Sequence, residues 1–167
     1  KVFERQCSFL AIDGPHEAIV LKDEKIKLRM GNVDQILKDK EALILNTGSP
    51  HYVLQVDALD QINVKLAGAA IRYSDDYKEK GINVNFMECD ESGIQVATYE
   101  RGVEDETYSC GTGVTAAAIA IHEISSQQYS SPISITTKGG DLMVYFQKDG
   151  DKNYSNIWLE GPAVETF

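Results

Sequence analysis

One stretch constrains the fold more than any other. From Thr112 to Ile124 the chain reads Thr-Gly-Val-Thr-Ala-Ala-Ala-Ile-Ala-Ile-His-Glu-Ile and carries no formal charge before Glu123. A helix that is apolar all the way round must be buried on all sides, and its small residues suit close approach by surrounding strands. Most of the rest reads as short strands punctuated by turns. The expected fold class is therefore α/β of the α+β type, a curved, mostly antiparallel sheet wrapped around a central buried helix.

The predicted strands come largely in pairs. Ser8 to Asp13 runs into an Asp13-Gly14-Pro15 turn. Ala18 to Leu21 and Lys25 to Met30 flank Lys22-Asp23-Glu24, with Ile26, Leu28 and Met30 alternating at period two as in a hairpin with one wet face. Ala42 to Leu45 and Tyr52 to Val56 form another pair, and Ile82 to Glu88 and Ile94 to Tyr99 a third. Ile133 to Thr137, Leu142 to Phe146 and Ile157 to Leu159 follow, separated by Gly139-Gly140 and Asp149-Gly150. A second helix is expected from Leu59 to about Tyr73, covering a sheet with a stripe of Ile62, Leu66, Ala70 and Ile71.

Composition narrows the function classes. The 167 residues suffice for one sizeable core, and 43% apolar with 25% charged residues is ordinary for a globular protein. Sixteen Lys and Arg against 26 Asp and Glu give a net charge of −10, the wrong sign for a nucleic-acid partner. The densest apolar stretch, Ala116 to Ile121, is far short of the ~20 residues of a membrane helix. Cys7, Cys89 and Cys110 form neither a disulfide framework nor a C-x-x-C zinc spacing, and three dispersed histidines show no metal-binding pattern. Free thiols suit a reducing compartment, so the expected location is cytoplasmic. The start, Lys-Val-Phe-Glu-Arg, reads like the middle of a longer chain.

The chemistry-bearing segment runs from Tyr99 through Glu100-Arg101 to Cys110-Gly111-Thr112-Gly113. A cysteine at the mouth of the buried helix meets unpaired first-turn N–H groups and the positive end of the helix dipole. Both favour thiolate, which predicts a Cys110 pKa below the ~8.5 of an ordinary thiol. The N–H groups of Gly111, Thr112 and Gly113 would also bind a carboxylate. The competing reading makes Cys110 a small core residue and the glycines packing devices. Gly111-Thr-Gly113-Val-Thr-Ala116 also matches a dinucleotide fingerprint, but a long acidic loop precedes it and the next strand ends in Thr136-Thr137-Lys138 without an acid. Glu100-Arg101 could grip the two charges of an amino acid, or be a solvated pair. His51, in a Gly48-Ser49-Pro50-His51 loop, is a candidate to act on Cys110 or a surface residue. His16 and His122 read as structural.

Together these pieces resemble the diaminopimelate epimerase family. The resemblance rests on Tyr99 through Gly113, on Gly48-Ser49-Pro50-His51 and on Gly81-Ile82-Asn83-Val84-Asn85-Phe86, in that family's order. Asp13-Gly14-Pro15-His16 and Trp158-Leu159-Glu160-Gly161-Pro162-Ala163 are further signposts. It implies two pseudo-symmetric domains and a two-base epimerase without cofactor that interconverts LL- and meso-diaminopimelate for lysine and cell-wall precursors. Cys110 matches the second catalytic cysteine. Asn83, Glu100, Arg101, Gly111 and Thr112 match substrate-binding positions, with Ser49 where many relatives have Asn, and His51 and Glu100 match residues that tune the thiols. The family's Cys-Gly-Asn-Gly-type first motif is absent, and Phe167 falls a few residues short of the usual ending. The expectation is thus a tail of the N-terminal domain over 1–31 and the C-terminal domain over 32–167, inactive alone. The implied partners are diaminopimelate, the missing domain and a second copy in a homodimer. A proline-racemase-like enzyme, a cysteine hydrolase using Cys110 and His51, and an inert half-domain are the alternatives.

Overall fold

The computed structural model describes residues 5–11, 14–21 and 25–163. The predicted turns at Asp13 and at Lys22-Asp23-Glu24 lie partly or wholly outside these residues. Twelve strands form one sheet. They are β1 (Arg5–Ala11), β2 (Gly14–Val20), β3 (Lys25–Arg29), β4 (Ile36–Asp39), β5 (Ala42–Asn46), β6 (Pro50–Val56), β7 (Asn83–Asp90), β8 (Gly93–Glu100), β9 (Asp105–Thr107), β10 (Ile133–Thr137), β11 (Gly140–Gly150) and β12 (Asn153–Pro162). Helix α1 spans Val64–Arg72 and α2 spans Gly111–Ile124.

The spatial order is β1-β2-β3-β12-β11-β10-β8-β7-β6-β5-β4, with β9 on β8. All pairings are antiparallel except β6 with β7 and β8 with β10. A parallel pair needs a crossover, and each of these two has one of the helices as its crossover. The segment before β4 reaches across to β12, where Val33 and Tyr154 exchange backbone hydrogen bonds of 2.9 and 2.7 Å. Strands β12 through β4 thereby curl around α2, whose residues Gly113 to Ile121 are all buried. The all-round apolar sequence finds the all-round apolar environment it requires.

Strand alternation sorts two cores. Val53, Met87, Ile94 and Val96 pack with α2, whereas Tyr52, Val84, Phe86, Ala97 and Tyr99 pack beneath α1 on the outer face. Burial on both faces encloses β7 from Asn83 through Met87, although two of those five residues are asparagines. Among the described residues, no helix is long and apolar enough to cross a membrane.

Several elements differ from the sequence expectation. Helix α1 begins after a separate 3-10 turn, Leu59–Gln61, because the Asn63 side chain accepts the Leu66 N–H at 3.0 Å and caps a new start. Its buried face carries Val64 and Gly68, with Ala67 and Ile71 packed beside them, while Leu66 and Ala70 point outward. The segment near Gly31 to Asp39, which the sequence offers as a domain boundary, contains strand β4, and the acidic loop contains β9, a short hairpin partner of β8.

Gly68 lies against Tyr99, so a Cβ there would overlap Tyr99 Cβ. Gly68→Ala gains about 1 kcal/mol of helix propensity, but overpacking a filled site costs about 1–3 kcal/mol. The net expectation is a loss of stability in urea denaturation; a stabilised variant would show that α1 can lift off the sheet.

Candidate functional site

Because side chains alternate along strands, His51 on β6, Asn85 on β7 and Thr98 on β8 all face α2, in register with the apolar side chains that enclose it. They form a polar enclave at the N-terminal end of the helix. His51 and Asn85 are completely buried. The Asn85 amide nitrogen lies 2.9 Å from His51 Nδ1, and its oxygen accepts from the Thr98 hydroxyl at 2.9 Å. On its other side, His51 Nε2 is 2.9 Å from Thr112 Oγ1 and 3.0 Å from Ser49 Oγ. Asn83 donates to Ser49 Oγ at 2.8 Å, and the Arg101 N–H donates to Asn83 Oδ1 at 2.9 Å. Thr112 Oγ1 stands 3.4 Å from Cys110 Sγ.

The structure thus joins Ser49, His51, Asn83, Thr112 and Cys110 in one hydrogen-bonded network. Gly111 opens α2 beside them. Glu100 is half-buried at the end of β8, while the exposed Arg101 anchors its guanidinium on the Lys80 carbonyl at 3.0 Å. His51 belongs to β6 and is buried, not a surface loop residue, and its contact toward Cys110 runs through the Thr112 hydroxyl. His16 stacks on Phe9, and His122 bonds the Tyr154 hydroxyl at 2.8 Å at the far end of α2.

The electrostatics correct the expected thiol. Burial pushes the Cys110 pKa up, outweighing the Thr112 hydroxyl and the Gly113 and Thr112 amides that pull it down; Glu100 adds to the rise. In this chain the helix start alone does not depress the thiol, because removing sulfur from water costs the anion more than the amides return. Desolvation likewise lowers His51 to about 3, against the hydrogen bond from Asn85, with Arg101 pushing the same way as burial.

Three contributors escaped the sequence reading. Asn85 and Thr98 are polar residues that share the helix-facing side of their strands with the core residues Met87 and Val96, a signal that strand parity could have exposed. Thr47 donates to the Thr112 carbonyl at 2.7 Å. Gly113 is required for another reason: a Cβ there would overlap Asn85 Oδ1. A cleft of about 680 Å³ borders the network, lined by Ser8, His16, Arg29, Gly48 and Thr112 among others. A separate cleft of about 600 Å³, beside Glu88 and Lys138, shares none of the network's residues. Among the described residues, no cluster of three or more His, Cys, Asp or Glu side chains is arranged to hold a metal ion.

Residues 43–165 match the family described as diaminopimelate epimerase. The chain belongs to that family. It is 42% identical over 167 residues to the diaminopimelate epimerase of Flavobacterium psychrophilum, covering 99% of this chain and 64% of that protein. With the Aquifex aeolicus diaminopimelate epimerase it shares 36% identity over 126 residues, covering 75% of this chain and 44% of the relative. The chain therefore spans less than two thirds of either relative. In fold it is similar to the crystal structure of a Bacillus anthracis phenazine biosynthesis protein of the PhzF family, with a TM-score of 0.66 at 13% identity, over 96% of this chain and 66% of that one.

Two measurements check the electrostatics. Iodoacetamide at neutral pH should label the exposed Cys7 first, with Cys110 and Cys89, the latter pushed up to about 11 by burial, lagging until the pH is raised. Fastest labelling of Cys110 would restore the depressed thiol. His51 is neutral in the folded chain but takes up a proton when unfolded below about pH 6.5, so its contribution to stability is lost as pH falls from 6.5 toward 3. Denaturation should show this slope, up to about 1.4 kcal/mol per pH unit, and His51→Gln should flatten it.

Proposed function

We propose that this chain supplies one of two proton-transferring thiols of a cofactor-independent epimerase that interconverts LL- and meso-diaminopimelate. The observation that carries the reading is the position of Cys110, at the start of a buried helix and on a hydrogen-bonded network whose Thr112 lines a cleft. In the proposed step the thiolate takes the α-hydrogen as a proton, and the C–H electron pair spreads from the α-carbon into the carboxylate. A second thiol gives a proton to the opposite face, so each turnover exchanges the protonation states of the two sulfurs. Gly111 and Thr112 N–H groups would hold the carboxylate at the helix start. Ser49, Asn83, Glu100 and Arg101 would bind the polar ends, and Arg101 has the fork geometry for a second carboxylate.

The second thiol is not supplied by the cysteines here. Cys89 lies six residues along β7 from Asn83, about 20 Å at strand rise, and Cys7 sits on the exposed strand β1. We assign the second base to sequence outside this chain, in a pseudo-symmetric domain to which residues 1–31 belong, with 32–167 as the C-terminal domain. Closure of the sheet around α2 through Val33 supports that boundary. Closing the two domains would exclude water from the site and strengthen its electrostatics. A cytoplasmic homodimer completes the proposal.

The test is proton exchange and isomer interconversion in the longer protein that contains this chain. Cys110→Ala should reduce both by at least about 100-fold, and substantial retained epimerisation would rule out the two-base assignment. Arg101→Met should raise KM with little change in melting. The 167-residue chain alone should show no epimerisation.

A further inference from the structure

We infer that Asn85, held by Thr98, fixes His51 as the tautomer protonated on Nε2, so that the hydrogen bonds between the sheet and Cys110 all point toward the sulfur. This makes Asn85 a positioning residue and His51 a donor rather than a base toward the thiol. The inference rests on the proposed role of Cys110 as the reacting thiol.

The direction of each bond follows from groups that can only accept or only donate. The Asn85 amide nitrogen lies 3.3 Å from the Tyr52 carbonyl, which can only accept, so that end of the amide carries the hydrogens. It therefore donates to His51 Nδ1 as well, and Nδ1 must offer a lone pair. A neutral ring then keeps its proton on Nε2. Asn83 is oriented in the same manner: its nitrogen faces the Pro50 carbonyl at 3.1 Å and its oxygen takes the Arg101 N–H, so it donates to Ser49 Oγ. Ser49, with its oxygen already accepting, stands 3.4 Å from Thr112 Oγ1. The Nε2 proton lies between Thr112 Oγ1 at 2.9 Å and Ser49 Oγ at 3.0 Å, so Nε2 donates and neither hydroxyl donates to the ring, which leaves the Thr112 proton for Cys110 Sγ. The charges felt along the network are Glu100 at the thiol and Arg101 at the imidazole. Burial of His51 and Asn85 excludes water as a competing partner.

A thiolate at Cys110 gains the Thr112 hydrogen bond only while this direction holds. Without the Asn85 donor, the ring can move its proton to Nδ1, and Thr112 can turn back to donate to Nε2. An aspartate at position 85 does the reverse: its carboxylate draws a proton onto Nδ1, and the resulting imidazolium still donates from Nε2.

The experiment uses the whole chain labelled with ¹⁵N-histidine. Long-range proton–nitrogen correlation at pH 7, with His51 assigned through His51→Gln, should show Nε2 protonated and Nδ1 bare. A ring protonated on Nδ1 or on both nitrogens would overturn the inference without any substitution in the network. The pH profile of Cys110 alkylation, mapped by mass spectrometry, gives the second readout. Asn85→Leu should raise its midpoint by about one pH unit, the scale of one hydrogen bond to a charged group, and Asn85→Asp should lower it. A merely structural asparagine would move both variants in the same direction, and that result, or no shift in folded protein, would sink the proposal. If Asn85→Leu does not fold, the wild-type spectrum and the Asn85→Asp profile still decide. Retained epimerisation by Cys110→Ala in the longer protein would overturn the catalytic reading alone, leaving the tautomer as measured.

Discussion

The fold is arranged around a helix that carries no charge before Glu123 and whose residues Gly113 to Ile121 are closed off from water. Burying α2 on every side demands a wall that curls until its ends meet, and Gly113 through Ile121 supply the slender surface that such a wall can enclose. The same enclosure creates the chemical problem at the helix start. Polar groups trapped there must find partners inside the protein, because unpaired groups in that setting cost about 1–3 kcal/mol each. The network from Thr98 to Cys110 is the solution that this sequence provides.

Two opposing effects meet at the thiol. Helix-start amides and the Thr112 hydroxyl stabilise the anion, while desolvation and the Glu100 charge penalise it, and in this chain the second pair wins. Which of them dominates depends on what fills the adjoining cleft. A substrate carboxylate would engage the same amides, and a cationic group there would oppose Glu100. Under the proposed function, the reactivity of Cys110 would belong to the assembled site and not to the helix end by itself.

The central helix and the strand-rich wall were legible because the hydrophobic pattern of α2 admits a single environment and because turn residues punctuate the strands. Ser49, His51, Asn83, Thr112 and Cys110 were legible as a group through the family resemblance, and the structure brings them together. Asn85 and Thr98 were not, since their meaning lies in cross-strand register, which no local pattern states. The error over Cys110 had a different origin: dipole and free N–H groups are visible in sequence, whereas the depth of burial is a property of the closed wall. The α1 stripe was misjudged because Asn63 restarts the helix and rotates its buried face away from Leu66.

Strand β7 does two jobs on alternate residues. Val84 and Phe86 fasten α1 outside, while Asn83 and Asn85 hold the network inside and Met87 touches α2. A single inserted or deleted residue in this strand would exchange the two sets, sending asparagines under α1 and aromatic bulk onto the thiol. Reading-frame-preserving length changes, tolerated in the turns at either end, would here erase packing and chemistry together. Strand β7 can therefore accept a change of side chain at one position without disturbing the other face, but not a change of length.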